Sequence, residues 1–269
     1  RRSMKAGFIQ FNPEFGKIDT NLEKASALIR NAEADLLVLP ELFNTGYLLT
    51  SREEAGSLAE EIPNGKTTAA LGDIARERNV HIAAGLIERS GDKIFNSAVL
   101  VSPSGYRATY RKIHLFSEEK IWFDPGDVPF EVHDIGSCRV GIMICFDWFF
   151  PESMRILALK GADVVCHCAN LVLPFCQEAM ITRCLENQVF AVTANRTGAE
   201  DRGGKFLRYT GRSQIAGPGG RILYRAGADD EEAGTAEFDH LSARNKSINR
   251  FNNLLKDRRS EFYADLVSP

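Results

Sequence analysis

Residues 139–170 read RVGIMICFDWFFPESMRILALKGADVVCHCAN. RVGIMIC is a short apolar run without polar alternation, the pattern of a strand covered on both faces. PESMRILALKGA reads as a helix, with Pro151 at the first helical position, where its fixed φ fits and its missing N–H is not needed. ADVVCHCAN is a second continuous apolar strand. Strand, helix and strand in succession place the chain among layered α/β proteins.

The same alternation extends in both directions. Upstream, AGFIQF is a strand, and Asp19 or Thr20 is the expected cap of a helix through NLEKASALIRNAEA, whose Leu22, Ala25, Leu28, Ile29 and Ala32 recur at helical spacing. DLLVLP is a buried strand stopped by Pro40. TTAALGDIARERN is a helix leading into the strand VHIAAGLIE. FNSAVLVS and YRATYRK form a hairpin about Pro103-Ser104-Gly105. Downstream, EAMITRCLENQ is a helix, VFAVTAN a strand, SQIAGPGGRILYRA a hairpin about Gly217–Gly220 and GTAEFDH a last strand. The acidic cluster from Asp229 to Glu232 is a solvated loop. Helices among continuous apolar strands, with several hairpins, predict an α/β fold with mixed sheets.

The 269 residues, 44% of them hydrophobic, suffice for one large core, and no linker or repeat interrupts them. One domain over 4–269 is expected. Met4 reads as the natural start, which makes residues 1–3 an appended remnant. Lys plus Arg is 33 against 36 for Asp plus Glu, a net charge of −3 that argues against nucleic-acid or membrane-surface binding. No apolar run approaches the ~20 residues of a membrane span, and the start lacks the long apolar region of a secretory signal. The six cysteines are therefore expected as reduced thiols in the cytoplasm, most of them small buried hydrophobes.

Three strand ends carry reactive groups: DLLVLP ends at Glu41, YRATYR at Lys112 and RVGIMI at Cys145. Singly, each has an ordinary reading. A carboxylate caps a turn, a lysine faces solvent, and a cysteine fills a core. Together they supply complementary roles in layered proteins whose sites gather where strands end. An amide or nitrile carbon is a weak electrophile and calls for a thiolate. Glu41 takes the Cys145 proton and passes it to the departing nitrogen. Lys112 and the backbone N–H of Phe146 hold the developing negative charge. A thioester on Cys145 then yields to water activated by Glu41. This chemistry asks for no metal and no organic cofactor.

LPELFNTGY, YRKIHLF and GIMICFDWFFPE, in that order and spacing, resemble the three blocks of the nitrilase-type carbon–nitrogen hydrolases, and the similarity runs from about Lys5 to the C-terminal tail. Archaeal aliphatic nitrilases and related small-amide amidases are the nearest in pattern. The resemblance implies a four-layer α-β-β-α sandwich that pairs into a homodimer or larger homo-oligomer, with the tail, 244–269, as a subunit contact. It implies Glu41 as general base, Lys112 as transition-state stabiliser and Cys145 as nucleophile. A second glutamate that positions the others is implied at Glu119, with its neighbour Glu118 open as the alternative. Tyr47, His114, Phe116, Trp148, Asn170 and Leu171 fall around the pocket by position. Many nitrilases carry Trp-Glu after the nucleophile; Phe146-Asp147 leans toward amidases, yet the archaeal nitrilases share the Phe-Asp-Trp run. A small aliphatic nitrile or amide is the expected substrate, with an N-carbamoyl amide as the alternative. Bulky Phe116, Trp122, Phe123, Trp148 and Phe149 around the reactive blocks predict a small pocket.

Other classes fit less well. A papain-like enzyme needs a local signature that is absent around these cysteines. Cys166-His167-Cys168 suggests a metal site, but on a strand the cysteines face one way and the histidine the other. GPGG is a turn, and neither GxxxxGK[ST] nor GxGxxG occurs. The basic tail RNKSINRFNNLLKDRR, with Phe251, Leu254 and Leu255 as its apolar side, fits a subunit contact better than RNA. A catalytically silent partner-binding protein of the same fold is disfavoured, because all three chemical positions are filled.

Overall fold

Side chains on a strand alternate between faces, and in this chain both faces are apolar, so each sheet needs cover on two sides. In the computed structural model, which describes residues 3–268, the elements in chain order are β1 (Ser3–Gln10), α1 (Ile18–Asn31), β2 (Leu36–Val38), α2 (Arg52–Leu58), β3 (Glu60–Glu61), α3 (Lys66–Arg78), β4 (His81–Ser90), β5 (Lys93–Ser102), β6 (Gly105–Arg111), α4 (Glu119–Trp122), β7 (Val132–Asp134), β8 (Arg139–Ile144), a 3-10 turn (Cys145–Phe149), α5 (Pro151–Leu159), β9 (Val164–Cys168), α6 (Cys176–Asn187), β10 (Phe190–Ala194), β11 (Ala199–Arg202), β12 (Lys205–Arg208), β13 (Gln214–Gly217), β14 (Arg221–Arg225) and β15 (Glu232–Asp239). One mixed sheet has the order β15-β1-β2-β4-β5-β6, with β3 beside β4; the other runs β14-β13-β10-β9-β8-β7.

The sheets pack face to face, with β1 against β10, β4 against β9 and β5 against β8. Ala6 and Phe8 of β1, Ala83 of β4 and Leu100 of β5 point into the core between the sheets. Their neighbours Ile9, Ile82, Val99 and Val101 point the other way, onto Leu22, Ala25 and Ile29 of α1 and Leu71 and Ile74 of α3. On the far side α5 lies on β8 and α6 on β10, β13 and β14. The result is the α-β-β-α sandwich expected from the resemblance.

The opening segment reads as foreseen: β8, α5 and β9 follow one another, and β8 and β9 are parallel with Met143 beside His167. α1 starts at Ile18, ahead of the cap expected at Asp19 or Thr20 and without a side-chain cap. Asn21 turns inward there and ties the main chain of Glu14 and Asn44. Ser3 begins β1, opposite Asp239, while Arg1 and Arg2 lie outside the described residues. No helix among the described residues is long and apolar enough to cross a membrane.

Candidate active site

The four chemical positions meet where the strands run out. Glu41 lies in the turn after β2, packed so closely on β4 that a Cβ at Gly85 would fall 2.6 Å from the Glu41 Cα. Lys112 follows β6, its N–H donating to the Asn96 carbonyl at 2.8 Å. Cys145 follows β8 with φ at +39°, a left-handed conformation that side-chain-bearing residues rarely hold. Glu119 opens α4.

The Lys112 ammonium is completely buried and bridges two carboxylates. It donates to Glu41 Oε1 at 2.7 Å and to Glu119 Oε1 and Oε2 at 2.9 and 2.8 Å. Tyr47 OH donates to Glu119 Oε1 at 2.7 Å, and the Phe116 N–H to Glu119 Oε2 at 3.2 Å. Glu118 instead faces outward and pairs with Lys205, so of the two adjacent glutamates it is Glu119 that points inward. Asn170 ties the Cys145 strand end to Glu41: its carbonyl accepts from Cys145 Sγ at 3.7 Å, and its side chain donates to the Glu41 carbonyl at 2.7 Å. Asn96 Nδ2 donates to Glu41 Oε1 at 2.7 Å, whereas Glu41 Oε2 has no hydrogen-bond partner among the described residues.

Burial and the neighbouring charges set the protonation states together. Burial raises the Glu41 carboxyl to about 7 against the pull of Lys112, with Glu119 adding to the rise. It pushes the Cys145 thiol well above its ordinary value; Glu41 adds to that, and Lys112 opposes it. Burial also disfavours the Lys112 charge, but Glu119 and Glu41 outweigh it and hold the ammonium above its ordinary value. The resting site is therefore a protonated thiol beside a carboxyl that titrates near neutrality and a lysine that stays charged.

Phe116, Cys145, Phe146, Trp148, Asn170 and Leu171 line a cavity of about 20 Å³, room for roughly one water. Cys145 lines this opening and is itself 7% exposed. A second cavity of about 320 Å³ shares Phe116 and is lined by Tyr47, Glu119 and Trp122. His114 is among the lining of neither: its Nδ1 lies 2.7 Å from Asp147 Oδ1, and its ring stacks on Phe150. The sequence marked Asp147 only as half of the Phe146-Asp147 pair, and it did not mark Asn96 or Glu200. Asp147 Oδ2 accepts from the Ile144 N–H and from Tyr110 OH. Glu200 accepts from the N–H groups of Tyr47 and Leu48 and from Tyr209 OH, and pairs with buried Arg196. The signal available for Asn96 was a lone amide inside an apolar strand. All six cysteines are buried and free.

The carbon–nitrogen hydrolase family model matches residues 5–245. A nitrilase from Pyrococcus abyssi is 52% identical over 97% of this chain and 99% of its own. An (R)-stereoselective amidase from a Pseudomonas species is 35% identical over 95% of this chain and 92% of its own. Among solved structures, a carbon–nitrogen hydrolase from Helicobacter pylori G27 superposes with a TM-score of 0.91 at 26% identity, covering 100% of this chain and 99% of the other. A glutamate-to-glutamine variant of an amidase from Nesterenkonia sp. AN1, with acrylamide added to its active-site cysteine, superposes with a TM-score of 0.79 at 26% identity, covering 98% of this chain and 99% of the other. With a family match over most of its length and a relative at 52% identity, the chain belongs to the nitrilase superfamily of carbon–nitrogen hydrolases.

Proposed function

We propose that this enzyme hydrolyses a small aliphatic nitrile or amide to the carboxylic acid and ammonia through an acyl group carried on Cys145. The observation that carries the reading is the buried Glu41–Lys112–Glu119 cluster joined to Cys145 through Asn170, with one Glu41 oxygen unpartnered among the described residues. Glu41 Oε2 takes the thiol proton as sulfur attacks the substrate carbon, since a thiol held this high does not ionise unaided. An ammonium has three N–H groups; one serves Glu41, one is shared by the Glu119 oxygens, and the third meets the developing oxyanion with the Phe146 N–H. Glu119, held by Tyr47, keeps Lys112 in place. Glu41 returns the proton to the nitrogen, and ammonia departs. An amide consumes one water in releasing the thioester. A nitrile passes first through a thioimidate and consumes two.

The narrow opening over Cys145 supports a small substrate, and the 52% identical relative being a nitrilase favours the nitrile. Six buried free thiols support a reducing, cytoplasmic setting. The apolar residues exposed on α5, on α6 and along the tail support a homodimer. The test is ammonia release from a matched panel of small nitriles, amides, dinitriles and carbamoyl compounds, alongside Cys145→Ala. The expected result is turnover of short nitriles or amides by the wild type and none by the variant, with its melting temperature little changed. Ammonia release by Cys145→Ala, or substrate-derived mass on Cys166 or Cys168, overturns the assignment.

A further inference from the structure

His167 sits at the centre of β9, fully buried, and no step of the proposed chemistry uses it. Its Nε2 lies 2.9 Å from the Cys145 carbonyl oxygen, and its Nδ1 lies 3.1 Å from Thr193 Oγ1. A carbonyl only accepts, so Nε2 carries the proton. Burial pushes the imidazole down to about 4, so the ring is neutral and Nδ1 accepts from the Thr193 hydroxyl. The flanking strands fix this chain of contacts: His167 pairs with Met143 on β8 and with Thr193 on β10.

The consequence lies in one peptide unit. A trans peptide is planar, with its C=O and N–H pointing in opposite directions. Holding the Cys145 carbonyl toward β9 therefore aims the Phe146 N–H of the same unit away from it. The nucleophile's own backbone is in the left-handed region, a conformation that persists only where surrounding contacts over-determine it. Asp147 supplies one such contact through the Ile144 N–H, and His167 supplies another, at the Cys145 carbonyl itself.

We propose that His167 is a positioning residue that orients the Cys145–Phe146 peptide so that its N–H meets the oxyanion of the reacting substrate. This rests on the reading of Cys145 as nucleophile and deepens it. The test compares His167→Leu, which removes the donor, with His167→Gln, whose amide nitrogen reaches the Nε2 position, and His167→Asn, whose amide nitrogen falls short of it. In His167→Leu, kcat for the best substrate of the panel is expected to fall roughly 10²–10³-fold, the usual cost of one oxyanion donor, with KM little changed. Alkylation of Cys145 by iodoacetamide, a displacement that builds no oxyanion, is expected to keep its wild-type rate. His167→Gln recovers most of kcat, and His167→Asn does not.

Wild-type kcat in His167→Leu, or parallel loss of alkylation and turnover, overturns the proposal. If His167→Leu does not fold, the Gln and Asn variants decide, and equal kcat in those two overturns it. Failure of the underlying reading registers separately, as ammonia release with Cys145 replaced by alanine.

Discussion

The two oxygens of Glu41 stand in different surroundings. Oε1 is held by Asn96 and Lys112, and Oε2 has no hydrogen-bond partner among the described residues. A base needs a free lone pair and a proton affinity near the working pH, and burial supplies the second by raising the carboxyl to about 7. On the proposed reading Glu41 is the base and must be deprotonated to act, so kcat/KM should rise with pH through about 7 and fade below it, while Lys112 keeps its charge throughout. A pH–rate profile whose acid limb lies in the ordinary carboxylate range would contradict this. Glu41→Gln should lower kcat by roughly 10²–10⁴-fold and abolish that limb. Lys112 answers to a different measurement. Lys112→Met should reduce kcat far more than it raises KM, because its proposed contact with the oxyanion strengthens as charge develops. It also leaves two carboxylates facing each other in a buried site, so urea denaturation should register a loss of up to about 3–5 kcal/mol. A normal kcat with a raised KM would reduce Lys112 to substrate docking.

Turns and strand ends deliver these groups, and the tightest delivery is at Gly85. A Cβ there would meet the Glu41 Cα at 2.6 Å and the Leu42 nitrogen at 2.9 Å, backbone atoms that cannot swing aside. The Gly85 carbonyl also receives the Phe43 N–H, so the Glu41 turn is pinned onto β4. Gly85→Ala should move Glu41 off Lys112, cutting kcat sharply while costing about 1–3 kcal/mol in urea denaturation; unchanged kcat would mean the turn yields freely. At this scale much was legible in the sequence. Unbroken apolar runs marked the central strands, hairpin turns marked the mixed-polarity strands such as YRATYR, and the reactive residues stood at strand ends. α2, β3 and the β11–β12 hairpin were not legible, being short, polar and held by distant partners: Arg202 of β11 reaches Glu54 of α2, and Glu200 reaches the Tyr47 loop. The inward choice of Glu119 over Glu118 was equally out of reach, since only the packing of α4 against Lys112 separates adjacent side chains of the same type. The polar residues buried inside apolar segments, Asn96, Asp147 and His167, carried a signal that their neighbours' hydrophobicity masked.

Across the whole molecule, the residues after Arg244 behave unlike the sandwich. Arg244 makes a two-pronged pair with buried Asp163, and Lys246 donates to the Asn187 and Gln188 carbonyls at the end of α6. Beyond Ser247 the tail forms turns, a single β-bridge from Asn253 back to Ser247 and two 3-10 turns, with Phe251, Phe262, Leu266 and Val267 exposed. It lies over the start of α5 and the end of α6 but leaves a cavity of about 570 Å³ between itself and Pro151, Arg155 and Glu186. Ile156 and Leu159 of α5 and Leu185 of α6 are exposed as well. Close packing is the norm within one chain, and exposed apolar surface of this kind marks contact with another. The subunit-contact reading of the tail therefore predicts a separation of two properties. A chain ending at Ser247 keeps both anchors, so its melting temperature and its kcat should change little, whereas its sedimentation should shift from dimer to monomer at the same concentration. Ending the chain before Arg244 instead strips Asp163 of its guanidinium, leaving the Arg139 N–H as its donor, and should lower the melting temperature as well, because a buried carboxylate loses its counter-charge. Equal sedimentation of the full chain and the chain ending at Ser247 would remove the tail from the interface and leave the exposed faces of α5 and α6 to make it alone.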